Sequence, residues 1–246
     1  MMSEIKNSKK REKNVAIVLS AGKGKRMNSK VPKQYLELCD KPLLWYCLNT
    51  FEESFIDEII IVCGKDDIDY VKKDIVRKYS FKKVTKVVAG GKERYHSVAL
   101  GLEAIDEADY VFIHDGARPF VTKDTLDSCL EAVREFKASA AAVKCKDTIK
   151  IADDEGFIVS TPNRDSCWQI QTPQVFAFEE IRKVYRELVA NESDILARGI
   201  NITDDTMVME EFGNRRAKLV DGGYTNIKIT TGSDLIIAKE IISTIL

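Results

Sequence analysis

Apolar residues in this chain fall into short runs separated by longer stretches in which they recur every three or four positions. The runs Val15–Leu19, Glu58–Cys63, Val84–Val88, Tyr110–Ile113 and Ala140–Cys145 read as strands. The first is apolar and β-branched enough to be covered on both faces of a sheet, and the second reads as buried. Helical periodicity fills the intervals at about 66–79, 94–105 and 123–137. Strands alternating with helices imply right-handed crossovers. The expected fold is therefore α/β and Rossmann-like, a mostly parallel sheet with helices on both faces. Ligands then belong at the carboxyl ends of the strands.

The alternation breaks between about 146 and 176. Thr148–Ile151, the acidic turn Asp153-Asp154-Glu155-Gly156, and Phe157–Val159 read as a β-hairpin, and Thr161–Arg164 continues as loop. We expect a projecting β-arm over about 146–176. A two-stranded hairpin is marginal alone, so it must lie either on its own domain or on a second subunit. Two helices follow, near Phe178–Val189 and Asp204–Glu211, then a strand at Asn226–Thr230 and a closing helix from Ser233. Residues 1–13 are polar and charged without an apolar segment, and read as a mobile tail. Residues 14–246 read as one domain.

Charge changes the picture by what it excludes. With 38 Lys and Arg against 39 Asp and Glu, the net charge is −1, and bulk nucleic-acid binding is not expected. Any anion site must be local. No run approaches the ~18 apolar residues of a membrane span, so no membrane partner is expected either. The six cysteines lack C-x-x-C spacing and read as reduced thiols of a cytoplasmic protein.

The first strand runs into Ser20-Ala21-Gly22-Lys23-Gly24-Lys25-Arg26-Met27, with Lys33 six residues on. Gly22 and Gly24 let backbone N–H groups approach a ligand, and such a turn makes an anion-binding concavity. Arg26 and Lys33 add a fork-shaped donor set and a point charge suited to phosphate oxygens. The alternative is a glycine turn with solvated lysines. Met27 breaks the dinucleotide fingerprint, and no Gly-Lys-Ser/Thr follows at P-loop spacing. The loop points to a nucleotide site of another kind.

Asp115 follows the fourth strand in His-Asp-Gly-Ala-Arg-Pro, at the ligand edge of the sheet. It could hold Mg²⁺, which takes one or two carboxylates plus phosphate oxygens and water, or it could form a turn salt bridge with Arg118. Gly90-Gly91-Lys92-Glu93-Arg94 with Ser97 forms a second loop able to contact a base or ribose. Only two histidines occur, and no Ser-His-Asp set is evident. Nucleotidyl transfer to a phosphate monoester suits that inventory, because the nucleophile is already anionic at neutral pH, its second pKa being about 6.

Five segments in order resemble the 2-C-methyl-D-erythritol 4-phosphate cytidylyltransferases of the non-mevalonate isoprenoid pathway. They are Ser20–Met27 with Pro32-Lys33-Gln34-Tyr35; Gly90–Arg94 with Ser97; His114–Pro119; Thr161–Arg164 through Trp168 to Gln171-Thr172-Pro173-Gln174; and Ile202–Asp205 with Asn226–Thr230. The resemblance implies CMP transfer from CTP to methylerythritol phosphate with release of pyrophosphate. It implies Arg26 and Lys33 as cations on the triphosphate and Asp115 as the metal-associated carboxylate for Mg²⁺. Arg164 and Lys228 match the pair positioning the acceptor phosphate, and Arg118, Thr148, Thr172 and Thr203 match other acceptor-side positions. Ala21, Gly22, Gly24, Gly91 and Ser97 match the CTP pocket. The family is typically a homodimer whose β-arm crosses to the partner, so Thr148 and Arg164 would complete the neighbouring site.

Gly116, Asn163 and Cys167 stand where the family more often has alanine, aspartate and leucine. Pro-Asn-Arg also occurs in related pentitol-phosphate cytidylyltransferases, whose acceptor is ribitol 5-phosphate. Those relatives tend to carry valine where this chain has Ala117, which favours the methylerythritol enzyme. A third reading, a CTP-binding regulatory protein without turnover, is disfavoured by the intact set Arg26, Lys33, Asp115, Arg164 and Lys228.

Overall fold

The computed structural model describes residues 11–22 and 32–245. Strand β1 (Asn14–Ser20) leads to the two-residue strands β2 (Glu37–Leu38) and β3 (Lys41–Pro42), helix α1 (Leu43–Glu52) and strand β4 (Glu58–Cys63). Helix α2 (Ile68–Tyr70) widens into a π-helical stretch at Val71–Arg77, followed by β5 (Val84–Ala89), α3 (Arg94–Glu103), β6 (Tyr110–Asp115), α4 (Lys123–Phe136) and β7 (Ala138–Lys144). The hairpin β8 (Ile151–Ala152) and β9 (Ile158–Ser160) precedes β10 (Trp168–Ala177). The chain ends with α5 (Phe178–Ala190), α6 (Glu192–Ala197), α7 (Asp205–Phe212), β11 (Lys218–Asp221) and α8 (Gly232–Ile245).

Seven strands form one sheet in the order β11-β7-β10-β6-β1-β4-β5. All neighbours are parallel except β10, which runs antiparallel to both β6 and β7. The buried runs produce this by alternation: Ala16 and Val18 of β1 pack under α1, the 71–77 stretch and α4, while Val15 and Ile17 pack under α3, α5 and α7. A third cluster joins Leu38, Leu43, Phe120 and Ile229 to Ala238 and Ile242 of α8. The expected mostly parallel α/β sheet with helices on both faces is what the chain forms.

Four local expectations change. The arm ends sooner than about 176, because β10 is a full strand of the central sheet. Its Gln-Thr-Pro-Gln interior disguises it, and its pairing with β7 slips between Ile170 and Gln174. Asn226–Thr230 alternates like a strand but joins no ladder, and its Ile229 N–H donates to Ala117 O at 2.8 Å. Helix α1 and strand β11 carry no assignment from the apolar pattern; in α1, Trp45 and Tyr46 extend the apolar surface beyond a single face. Residues 11–13 of the expected tail are tied down: Arg11 pairs with Asp57 at 2.7 Å and Lys13 with Glu58 at 3.0 Å. The rest of that tail, and Gly24 and Arg26 of the glycine loop, lie outside the described residues.

The β8–β9 hairpin stands out from the body. Gly156 has φ +87°, a conformation that L side chains rarely adopt. Asp153 Oδ1 closes the turn by accepting the Glu155 and Phe157 N–H groups at 3.1 and 2.9 Å. Phe157, Ile158 and Val159 are each about two-thirds exposed, at 67%, 64% and 66%.

Helix α3 sits close on the sheet at Gly101, where an added Cβ would lie 2.8 Å from Ile17 Cγ2 and 3.1 Å from Val62 Cγ2. Both methyls belong to β-branched side chains on central strands, so neither can swing away. Gly101→Ala gains up to about 1 kcal/mol of helix propensity and loses about 1–3 kcal/mol to overpacking. We expect a net loss of about 1 kcal/mol in urea unfolding, and a stabilised variant would show that α3 has room to lift.

Candidate active site

The chain leaves β1 to build β4 and β5 on one side, then crosses to β6 on the other. The carboxyl ends of β1 and β6 therefore part, which opens a crevice at the sheet's switch point. A cleft of about 530 Å³ occupies it, edged by Ala21, Gly22, Gly91 and Ser97 and floored by Lys33, Arg94, Asp115 and Lys228. Gly90 lets the two glycine loops meet: a Cβ there would fall 2.5 Å from Ala21 Cβ and 2.8 Å from Ser97 Oγ. Ser97 braces its own loop, with Oγ accepting the Gly91 N–H at 3.1 Å and donating to Glu93 O at 3.2 Å.

Asp115 is the centre of charge, 8% exposed. Lys228 Nζ reaches one carboxylate oxygen at 2.7 Å and Arg94 Nε the other at 3.4 Å. Burial opposes ionisation, but Arg94, then Lys228 and Arg118, hold the carboxyl well below the usual range. Arg94 in turn grips Asp205 with both Nη atoms at 2.8 Å. Asp205 is 0% exposed and also accepts from the Tyr185 hydroxyl.

The irregular part of β10 supports this cluster from below. Thr172 leaves the ladder, and its Oγ1 accepts the Asp115 N–H at 3.0 Å and faces His114 Nδ1 at 3.1 Å. His114 Nε2 lies 3.0 Å from Arg118 O, so it carries the proton while Nδ1 accepts from the threonine. Burial pushes the His114 pKa down to about 4, and the ring is neutral. Asn226 Nδ2 donates to Thr172 O at 2.9 Å and Gln171 Oε1 at 3.1 Å, which fastens the segment carrying Lys228 to the bulge. Lys33 Nζ donates to Ile229 O at 2.9 Å from the other side.

The expected site residues thus divide. Ala21, Gly22, Lys33, Gly91, Ser97, Asp115 and Lys228 line the cleft. Arg118 lies beneath it, with Nη1 donating to Asn226 O at 2.8 Å and Nη2 to Ile170 O at 3.4 Å. Thr172 is 3% exposed and its hydroxyl is spent on Asp115 and His114, so it acts on the site through them. Thr203 precedes α7, its hydroxyl 3.4 Å from Met207 Sδ. Thr148 and Arg164 belong to the arm and are not among the cleft residues; the Arg164 Nη1 donates to Lys146 O at 3.4 Å. Arg94, Asp205, Tyr185 and Asn226 are joined to this cluster by hydrogen bonds, and no motif assigned them a role. The doubled Asp204-Asp205 before α7 was the available signal, since one aspartate suffices as a cap: Asp204 Oδ1 accepts the Met207 N–H at 2.8 Å.

Among the described residues no group of three or more His, Cys, Asp or Glu gathers to hold a metal. A Mg²⁺ here would be held by one carboxylate and completed by phosphate oxygens and water. Asp115 fits that role, since each oxygen keeps a lone pair beyond its ion pair.

A glycine-edged, cation-floored crevice at the switch point of a doubly wound sheet is a nucleotide site whose chemistry is directed at phosphate. The family model described as 2-C-methyl-D-erythritol 4-phosphate cytidylyltransferase matches residues 14–244. A relative of that name from Lachnoclostridium phytofermentans is 48% identical over 231 residues, 94% of this chain and 97% of its own. One from Clostridium botulinum is 44% identical over 94% of this chain and 97% of its own. A solved structure from Anaerococcus prevotii, described as 4-diphosphocytidyl-2C-methyl-D-erythritol synthase, aligns with a TM-score of 0.81 and 37% identity over 94% of this chain and 96% of that one. The chain belongs to the 2-C-methyl-D-erythritol 4-phosphate cytidylyltransferase family. No described helix is long and apolar enough to cross a membrane.

Thr172→Val keeps the shape at the bulge and strips partners from the Asp115 N–H and His114 Nδ1. At about 1–3 kcal/mol for each of the two buried groups left unpaired, we expect a loss of about 2–6 kcal/mol in chemical denaturation. Thr172→Ser should recover most of it; a serine variant less stable than the valine variant would mean that the methyl, not the hydroxyl, matters.

Proposed function

We propose that this chain transfers CMP from CTP to 2-C-methyl-D-erythritol 4-phosphate and releases pyrophosphate. Beyond family membership, the observation that carries the reading is the convergence of Lys228 and Arg94 on Asp115 opposite the glycine edge, with Lys33 beside them. An oxygen of the acceptor's phosphate attacks the α-phosphorus of CTP. The new P–O bond forms as the bond from the α-phosphorus to the bridging oxygen breaks, and the electron pair leaves with pyrophosphate.

No protein base is required, because the monoester's second pKa is about 6 and it arrives as a dianion. The histidines agree with this. His114 is buried with both ring nitrogens engaged, and His96 Nε2 faces Glu192 at 3.2 Å while Nδ1 accepts the Glu93 N–H at 3.2 Å. The work left to the chain is positioning and charge stabilisation. Lys33, with Arg26, serves the triphosphate; Lys228 and Arg118 serve the acceptor side; Ala21, Gly22, Gly91 and Ser97 enclose the nucleoside. Mg²⁺ at Asp115 would neutralise phosphate charge in the ground and transition states.

Thr148 and Arg164 reach an acceptor only in a second copy. The separation of both from the cleft, and the exposed Phe157, Ile158 and Val159, support a homodimer in which each arm serves the partner's site.

Release of pyrophosphate with CTP, Mg²⁺ and each candidate acceptor tests the reaction. Methylerythritol phosphate should be turned over well ahead of ribitol 5-phosphate, and the reverse order would sink the assignment. Lys33→Ala should lower kcat a hundredfold or more, the effect of removing one preorganised donor worth ~3 kcal/mol; normal turnover would remove Lys33 from the triphosphate. Mixed Lys33→Ala and Arg164→Ala proteins should regain activity once subunits exchange, since one site of each mixed dimer holds both native residues. Exchange without recovery would mean that each site is built from a single chain.

A further inference from the structure

Arg94 bridges two buried carboxylates, and only one of them reaches the cleft. Its Nε faces Asp115 at 3.4 Å, while Nη1 and Nη2 clasp Asp205 at 2.8 Å each. Asp205 has no exposed surface and touches no ligand space. It is nonetheless held with care. Gln174 Oε1 of β10 accepts both the Asp205 and Thr206 N–H groups at 2.9 Å, Asp204 caps the helix, and Tyr185 of α5 donates to the carboxylate. The guanidinium plane is thereby fixed by α5, α7 and β10, three elements outside the cleft.

Stability alone does not account for such an arrangement. A buried ion pair contributes about as much as a well-packed apolar group of the same volume, because desolvation offsets the attraction. Geometry does account for it. Arg94 and Lys228 approach opposite oxygens of Asp115, so the arginine determines where the carboxylate sits and hence where the ammonium that pairs with it sits. We infer that Arg94 and Asp205 are positioning residues for CMP transfer: Asp205 orients Arg94, Arg94 orients Asp115, and Asp115 orients Lys228 towards the acceptor phosphate. This rests on the reaction proposed above. It predicts that damage at Asp205, which no substrate can touch, appears on the acceptor side and in kcat, while CTP binding survives.

The test compares Arg94→Ala, Arg94→Lys and Asp205→Asn in the pyrophosphate-release assay, with CTP binding measured separately by calorimetry. Asp205→Asn should lower kcat at least tenfold or raise the acceptor KM by that factor, with CTP Kd within threefold of the parent. Arg94→Lys should remain impaired, since an ammonium cannot clasp Asp205 and face Asp115 together. Arg94→Ala leaves a gap opening on the cleft, so added guanidinium should raise its turnover at least fivefold while leaving Asp205→Asn unchanged. Should Arg94→Ala not fold, kcat and acceptor KM of Asp205→Asn and Arg94→Lys, set against their CTP Kd, decide the matter, and the rescue criterion applies only to a folded Arg94→Ala. Unchanged kcat and KM in Asp205→Asn, CTP affinity lost in step with turnover, or no guanidinium rescue would each overturn the inference. Parent protein inactive in the same assay would instead overturn the proposed reaction.

Discussion

A carboxyl group as buried as Asp115 takes up a proton unless cations stand against it. Here the cations come from three separate parts of the chain: Arg94 at the start of α3, Arg118 just past β6, and Lys228 in an extended segment near the end. Arg94 and Lys228 reach Asp115 only through the fold, whereas Arg118 stands three residues on in the same turn, and each would carry a heavy desolvation cost if buried unpaired. The charges and the fold therefore form together. The α3 start, the β6 end and the 226–230 segment must arrive in register for any of these charges to be tolerated.

The antiparallel strand β10 meets the requirement. Lying between β6 and β7, it brings a run of polar residues under the carboxyl end of β6, and its register slip lets Thr172 turn towards Asp115 rather than stay in the ladder. The same irregular stretch receives Asn226 and so carries Lys228, and its Gln174 receives the first amides of α7 and so carries Asp205. One distorted strand thus supports both the segment carrying Lys228 and the carboxylate that clasps Arg94. An uninterrupted β10 would pair better and position neither.

This explains which parts of the molecule were legible in the sequence. Strands β1, β4 and β6 are buried on both faces, so their apolar runs announce them, and the order of elements then implies the switch-point crevice. The glycine loops, Lys33 and Asp115 lie in short motifs where residue type and place in the fold carry the meaning, whereas Lys228 was legible only through the family resemblance. Strand β10 was hidden because the polar residues that make it useful erase its apolar pattern. Asn226–Thr230 misled in the opposite direction: Ile227 and Ile229 pack into the third core cluster while Lys228 faces the cleft, an alternation made without a ladder. The Arg94–Asp205 pair was unreadable, because the residues stand 111 positions apart and each has an ordinary local explanation, a loop arginine and a helix-start aspartate.

The division of labour among the cations follows from their shapes. Arginine offers a rigid planar fork, and Arg94 spends that fork on Asp205 and its remaining edge on Asp115, which suits an element that must not move. Lysine is a point charge with three donors on a flexible stem. Lys228 holds Asp115 and Lys33 holds the Ile229 carbonyl, and an ammonium anchored in this way can keep its protein acceptor while also donating to phosphate oxygens. Charge developing on a transferring phosphate group is met best by donors that need no reorganisation. A fixed arginine beneath anchored lysines provides that, with rigidity supplied by the fork and adaptable contact by the ammonium groups.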